Sequence, residues 1–234
     1  MIAGRKSELE GTEREISIKV GKVTLEGNLG VPEKSTGMVL FAHGSGSSRH
    51  SPRNRYVAGV LQSHGIATLL FDLLTRQEED VDRERAQLRF NIPLLAKRLV
   101  GATRWVQRDR RFKGLDVGYF GASTGAAAAL QAAFKLPGMV VAIVSRGGRP
   151  DLADEALGAT RAPTLLIVGG NDALVAELNR RALEKLGSHE KKMVLVPGAT
   201  HLFEEPGALE EVAQIAAEWF RDHFVTRGHP PPDR

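Results

Sequence analysis

One serine in this chain stands where a predicted strand turns directly into a predicted helix. Ser123 is the centre of Gly-Ala-Ser-Thr-Gly (121–125), between the apolar run 115–122 and an Ala-rich run. Such a turn strains the serine backbone and exposes the hydroxyl, while the two glycines leave space around it. The first N–H groups of the helix then point to where negative charge develops when a carbonyl is attacked. The pattern indicates a nucleophile; the alternative is a serine that only caps a helix.

A nucleophilic serine needs a base, and the base needs an acid to orient it. Asp172 and His201 each come directly after a predicted strand, and they follow Ser123 in the chain order nucleophile, acid, histidine. Asp172 is also in a position to cap the helix that begins after it. Asp151, which follows another predicted strand, is the rival acid. The sequence therefore predicts a catalytic triad of Ser123, Asp172 and His201.

The loop 41–51, with the sequence FAHGSGSSRHS, follows the third predicted strand and is a candidate for part of an oxyanion hole. We expect the backbone N–H groups of Ser45 and Thr124 to bind the oxyanion. The alternatives are a flexible linker and a phosphate-binding loop. The dinucleotide pattern G-x-G-x-x-G is not matched, because Arg49 stands where the third glycine belongs.

The elements that must position these residues are predicted from the alternation of apolar runs and helix-period segments. Two early segments alternate apolar and polar residues around Gly21, which indicates an antiparallel hairpin. Later runs are continuously apolar, as in strands buried on both faces of a parallel sheet. The predicted strands are 14–20, 22–32, 37–44, 66–74, 115–122, 139–145, 162–170 and 191–198, and the predicted helices are 54–64, 82–108, 124–135, 151–158, 174–186 and 206–225. The fold class is α/β: an open eight-stranded, mostly parallel sheet with helices on both faces and ligands bound at the carboxyl ends of the strands.

Composition limits the remaining possibilities. The chain has 234 residues, which we assign to a single domain (1–225) and a Pro-rich C-terminal tail (226–234). It has no cysteine, which excludes disulfides and cysteine metal sites and favours the cytoplasm. The N-terminal residues lack the apolar core of a signal peptide, and no apolar run approaches the length of a membrane span. The basic stretch 104–114 is assigned to a helix end rather than to nucleic-acid binding.

Four segments together resemble the α/β-hydrolase superfamily and, within it, the dienelactone hydrolase-like family. These segments are HGSGSSR, GASTGAAAAL, LLIVGGNDALV and VPGATHLF, and the resemblance covers residues 14–225. It implies an α/β-hydrolase fold, an ester- or lactone-hydrolysing activity and no cofactor. Dienelactone hydrolases proper carry cysteine at the nucleophile, whereas this chain carries Ser123. That difference favours a serine carboxylesterase acting on a small-molecule ester, with neither nucleic acid nor membrane as a partner.

The surroundings of the predicted site contribute further expectations. The connection 145–163 is too short for a separate cap domain, which favours an open site and small or soluble esters. The charged segment 73–90 is interpreted as a rim or partial lid, or as a solvated helix start. Arg49 and Arg146 lie near the expected mouth and are the candidates for binding a substrate carboxylate. The alternatives to an esterase are a small peptidase or amidase with the same triad, and a non-catalytic ligand-binding member of the fold.

Overall fold

The computed structural model describes residues 13–224, and these residues form one eight-stranded sheet. The strands are β1 Arg14–Val20, β2 Val23–Gly30, β3 Gly37–Ala42, β4 Ala67–Phe71, β5 Asp116–Ala122, β6 Val140–Arg146, β7 Thr164–Gly169 and β8 Lys191–Val196. Their order in the sheet is β1-β2-β4-β3-β5-β6-β7-β8. β1 pairs with β2, and β2 with β4, in antiparallel fashion, and all other neighbours are parallel. The predicted mostly parallel sheet with an antiparallel edge is confirmed, while the predicted tail 226–234 lies outside the described residues.

Helices cover both faces of this sheet. They are α1 Pro52–Ser63, α2 Arg76–Arg85, α3 Ile92–Arg108, α4 Thr124–Phe134, α5 Glu155–Ala159, α6 Ala173–Lys185 and α7 Ala208–His223. Every residue of β3 is buried, and alternate residues enter opposite cores: Leu40 packs with α3 and α4, and Phe41 packs with α1 and α7. This two-sided burial is why the inner strands read as continuous apolar runs. None of the helices within residues 13–224 combines the length and apolar character needed to cross a membrane.

The predicted single helix over 82–108 is wrong, because the chain forms two helices there. α2 ends at Arg85, where Ala86 takes a left-handed conformation with φ of 49°. The carboxylate of Asp82 then accepts the backbone N–H of Leu88 at 2.5 Å. Asn91 caps α3 through the N–H of Leu94 at 3.1 Å. Local polar side chains therefore interrupt a segment whose helical pattern continues in the sequence.

The connection between β6 and β7 contains no separate cap domain, as expected. In place of the predicted helix over 151–158, it forms a 3₁₀ turn, Pro150–Ala153, followed by the short helix α5. Asp154 separates them with φ of 52°, a conformation that no regular helix contains. The carboxyl ends of β5, β6 and β7 are therefore not covered by an inserted domain.

Candidate active site

The turn between β5 and α4 holds Ser123 in the strained conformation expected of a nucleophile. Its φ and ψ are 50° and −123°, and its side chain makes no capping hydrogen bond to α4. The glycines on either side are required by close packing of the backbone. A Cβ at Gly125 would lie 2.0 Å from the carbonyl oxygen of Ala42, and one at Gly121 would lie 2.5 Å from Cα of Ala126. The hydroxyl is thus left free for chemistry, which argues against a simple helix cap.

Asp172 and His201 form a close pair in the loops after β7 and β8. The imidazole Nδ1 lies 2.7 Å from Oδ2 of Asp172. Since an ionised carboxylate only accepts, Nδ1 carries the proton and Nε2 remains available as a base. Asp172 also caps α6 by accepting the N–H of Val175 at 3.3 Å, so both expected roles coexist. The rival acid, Asp151, is instead paired with Arg149 at 2.7 Å.

The segment after β6 brings the serine and the histidine to the same place. The N–H of Ser123 donates to the carbonyl of Arg146 at 3.3 Å, and the carbonyl of Ser123 accepts from the N–H of Arg149 at 3.0 Å. A Cβ at Gly147 would lie 3.5 Å from Cε1 of His201. Among the described residues, the imidazole of His201 is hydrogen-bonded to Asp172 but not to Oγ of Ser123. Such a bond commonly tightens only when substrate is bound.

The two predicted oxyanion donors are neighbours. The N–H of Ser45 donates to Oγ1 of Thr124 at 3.1 Å. Thr124 is the first residue of α4, so its own N–H lacks a partner within the helix. A Cβ at Gly44 would lie 3.0 Å from Cβ of Ser123, which shows how closely the loop approaches the nucleophile. The structure therefore brings Ser45 and Thr124 together beside Ser123.

His43 and Asp72 hold this loop in place, a feature that the sequence reasoning missed. Nε2 of His43 accepts the N–H of Leu73 at 3.1 Å, and Nδ1 lies 3.0 Å from the carbonyl of Gly44. Burial lowers the pKa of His43, although the bond to Gly44 and the charge of Asp72 oppose that shift. A histidine directly after a buried strand and before Gly44 was the available signal in the sequence.

The two arginines predicted to bind substrate have different surroundings. The Arg49 guanidinium pairs with the carboxylate of Asp72, and its backbone N–H also donates to that carboxylate at 2.7 Å. Arg49 therefore fastens the loop to the end of β4, and its predicted role as a substrate clamp has no support in this arrangement. Arg146 has no carboxylate partner within the part of the chain that the structure describes, and its Nη2 donates a long hydrogen bond to Oδ1 of Asn54 at 3.4 Å.

A cavity of about 320 Å³ adjoins the loop that follows β3, the predicted oxyanion loop (residues 41–51). Its lining includes residues 43–48 of the loop and Glu79 and Arg83 of α2. α2 is held against α3 by an ion pair between Glu78 and Arg98. Burial, reinforced by the charge of Asp72, raises the pKa of Glu79. The charged segment 73–90 thus forms a rim over this cavity. Within residues 13–224, no group of three or more histidine, aspartate or glutamate side chains is arranged to hold a metal ion.

The chain is similar to proteins of known family. Residues 25–225 match the model of the dienelactone hydrolase family. A crystal structure of a dienelactone hydrolase from Anabaena variabilis is 59% identical, with a TM-score of 0.89 over 92% of this chain and 99% of that chain. Est1E from Butyrivibrio proteoclasticus shares the fold at 15% identity, with a TM-score of 0.74 over 89% of this chain and 98% of its own.

Two curated relatives from Mycobacterium tuberculosis carry a different name. Each is 56% identical over 92% of this chain and is named "Putative phosphoribosyl transferase". The matched region is 48% of those proteins, so the chain spans about half the length of the curated relatives it matches. The family match and the architecture agree across nearly all the described residues, which also confirms the predicted α/β-hydrolase fold. The chain belongs to the dienelactone hydrolase family.

Proposed function

We propose that this protein hydrolyses small or soluble carboxylic esters, including lactones, through an acyl-enzyme on Ser123. Membership of the dienelactone hydrolase family supports hydrolase chemistry. The single observation that carries the proposal is the 2.7 Å pair of His201 and Asp172 in loops beside a strained, uncapped serine. A histidine oriented in this way is the base that such a serine requires.

The reaction proceeds in two balanced halves. Ser123 Oγ attacks the carbonyl carbon as its proton passes to Nε2 of His201, and the resulting imidazolium is stabilised by Asp172. The tetrahedral intermediate then collapses: the ester C–O bond breaks and His201 returns the proton to the leaving alcohol. Water attacks the acyl-enzyme by the same steps, which releases the acid and restores the serine.

The oxyanion of the tetrahedral intermediate is bound by the backbone N–H groups of Ser45 and Thr124. In the structure the N–H of Ser45 donates to Oγ1 of Thr124, and binding the oxyanion exchanges this hydrogen bond for one to the substrate. Each donor of this kind contributes about 3–4 kcal/mol to stabilising the transition state in known cases. The N–H of Thr124, at the start of α4, has no partner within the helix, so binding the oxyanion breaks no helical hydrogen bond there.

The setting of the reaction is part of the same proposal. We assign it to the cytoplasm because the chain has no cysteine to be oxidised or paired. The transferase name of the Mycobacterium tuberculosis relatives applies to whole proteins, which are about twice as long as the region that matches this chain. The ester hydrolysis proposed here concerns this chain, which matches about half of each of those proteins.

The test is the variant Ser123→Ala assayed with p-nitrophenyl acetate. The variant is expected to fold normally and to lose at least about 10³-fold in kcat, because the attacking hydroxyl is removed. A fluorophosphonate probe should label the wild type and not the variant. An unlabelled wild type would indicate a non-catalytic ligand-binding protein, and turnover of a matched amide at a rate comparable to that of the ester would indicate a peptidase or amidase.

A further inference from the structure

Arg146 is a buried cation without a counter-charge in the part of the chain that the structure describes. Its exposed fraction is 7%. Its Nη2 makes one long hydrogen bond to Oδ1 of Asn54, at 3.4 Å, and its Nε is buried with no partner. Burial, together with the nearby charge of Arg53, lowers the pKa of Arg146 to about 10. Since an unpaired buried charge is costly, this arrangement is explained better by a ligand than by stability.

The surroundings of this guanidinium favour an anion. Arg53 lies in the first turn of α1, which Ser51 caps and which contains no acidic residue. The positive end of the helix dipole therefore adds to the two arginine charges. The carboxylate nearest to Arg53 is Glu204, at 3.1 Å, and the Glu204 side chain is 65% exposed. An exposed pair of this kind is weak enough to exchange for a ligand oxyanion.

Arg146 is close to the predicted catalytic histidine. Its guanidinium carbon lies 5.9 Å from the centre of the Phe203 ring. A Cβ at Gly147 would lie 3.4 Å from Cε2 of Phe203 and 3.5 Å from Cε1 of His201. The guanidinium therefore lies beside a ring of the same turn that carries the histidine.

The face of the sheet indicates which part of an ester would reach Arg146. Val144, two residues earlier in β6, packs into the core beneath α1 and α7, so Arg146 points to that face. The cavity beside the oxyanion loop includes Leu74 and Leu95, which belong to the core on the other face. The histidine must reach the leaving oxygen to protonate it, so the alcohol part of the ester lies on the histidine side.

We propose that Arg146, assisted by Arg53, binds an oxyanion group, a carboxylate or a phosphate, carried on the alcohol part of the ester substrate. This inference rests on the proposed ester hydrolysis by Ser123. The acyl part would then occupy the cavity beside the oxyanion loop. A guanidinium suits this task because its donors match the oxygens of either anion in pairs.

The test compares aryl acetates whose leaving groups carry either an anionic or a neutral substituent. kcat/KM is measured for 4-acetoxybenzoate, for its neutral methyl ester and for 4-acetoxyphenyl phosphate, with the wild type and with Arg146→Met. The ratio of charged to neutral ester should fall on the order of tenfold or more in the variant, because a charge-assisted contact is lost. Differences in intrinsic reactivity between the esters cancel when this ratio is compared between proteins.

Two further variants sharpen the comparison. Arg146→Lys retains the charge and should keep part of the preference, mainly through KM. Arg55→Met is the control for loss of a nearby arginine, since Arg55 lies on α1 with Arg53 but pairs with Glu13 and has a side chain that is 51% exposed. It should leave the ratio unchanged. Arg146→Met should also melt no lower than the wild type, because it removes a buried unpaired charge.

The outcomes separate this inference from the proposed function. If neutral esters are hydrolysed and Arg146→Met leaves the ratio of kcat/KM for charged and neutral esters unchanged, the anion subsite is overturned and the esterase stands. A large loss of stability in Arg146→Met has the same consequence. Inhibition by inorganic phosphate without a changed ratio means free-anion binding, which also overturns the inference. If no ester is hydrolysed, the subsite is tested by binding of 4-hydroxybenzoate. A rise in melting temperature in the wild type but not in Arg146→Met supports the subsite, and no rise in the wild type rejects it.

Discussion

The hydroxyl of Ser123 is kept apart from the helix that begins beside it. A serine in this position ordinarily caps a helix, but here φ of 50° turns the side chain away from the first turn of α4. Asp172 does the opposite, since its carboxylate caps α6 and orients His201 at once. A single residue can serve both functions because a carboxylate has two oxygens with several acceptor positions.

This double role leads to a prediction for Asp172→Asn. Asparagine caps helices about as well as aspartate, so the free energy of unfolding should stay within about 1 kcal/mol of the wild type. The amide cannot hold the same tautomer of His201, and kcat for esters should fall by about 10³–10⁴-fold. Urea unfolding and ester kinetics test the two halves. The matched control is Asp151→Asn, because the carboxylate of Asp151 pairs with Arg149. An equal loss of kcat in that control would contradict the assignment of Asp172 as the acid.

Two contacts anchor the oxyanion loop as an element. The Arg49–Asp72 ion pair joins it to the end of β4, and neutral His43 joins it to the backbone of Leu73. The bond from Leu73 N–H requires an unprotonated Nε2. The position of the loop is therefore coupled to the protonation state of one buried imidazole.

The pH dependence of stability follows from the lowered pKa of His43. The unfolded chain takes up this proton near the ordinary value of 6.5, whereas the folded chain resists it. Stability present above pH 6.5 should therefore be lost as the pH falls from 6.5 through the lower folded pKa. Denaturant unfolding at several pH values should show a shallower decline for His43→Gln than for the wild type. A parallel decline in both proteins would mean that His43 contributes nothing to it.

Within residues 13–224 the sheet lies between two large cores, and the candidate site lies at the carboxyl ends of the strands. On one face, Phe220 is fully buried and stacks on Phe224 with ring centres 5.5 Å apart. Gly118 of β5 leaves the space for this ring, because a Cβ there would lie 2.6 Å from it. The packing is at the middle of β5, while Ser123 follows the end of that strand. Stability and chemistry are thus located in different parts of the same strand.

Phe220→Ala should test this separation. Truncating a fully buried phenylalanine should cost about 3–5 kcal/mol in the free energy of unfolding, measured with denaturant. Ester turnover well below the new melting temperature should be nearly unchanged. Phe134→Ala is the control, because Phe134 is 45% exposed and its loss should cost less than about 1 kcal/mol. A large fall in kcat in folded Phe220→Ala would show that the core and the site are coupled.

The sequence by itself determined the parts of this protein that depend on local patterns. Continuous apolar runs predicted the inner strands, because a strand buried on both faces needs no alternation. The glycines around Ser123 predicted the tight strand-to-helix turn, because no side chain fits there. Asp172 and His201 were located because residues after parallel strands meet at one edge of the sheet.

Only the tertiary structure decided the features that depend on which distant side chains meet. Arg49 and Arg146 looked equivalent in the sequence, yet the first pairs with Asp72 and the second has no such partner among the described residues. Likewise, Asp151 and Asp172 both follow strands, and only the folded structure shows that Asp172 is the one that contacts His201. The break in the predicted helix over 82–108 came from Asp82 reaching Leu88. Partners of this kind are set by the packing of segments far apart or folded back on each other, which periodicity does not encode.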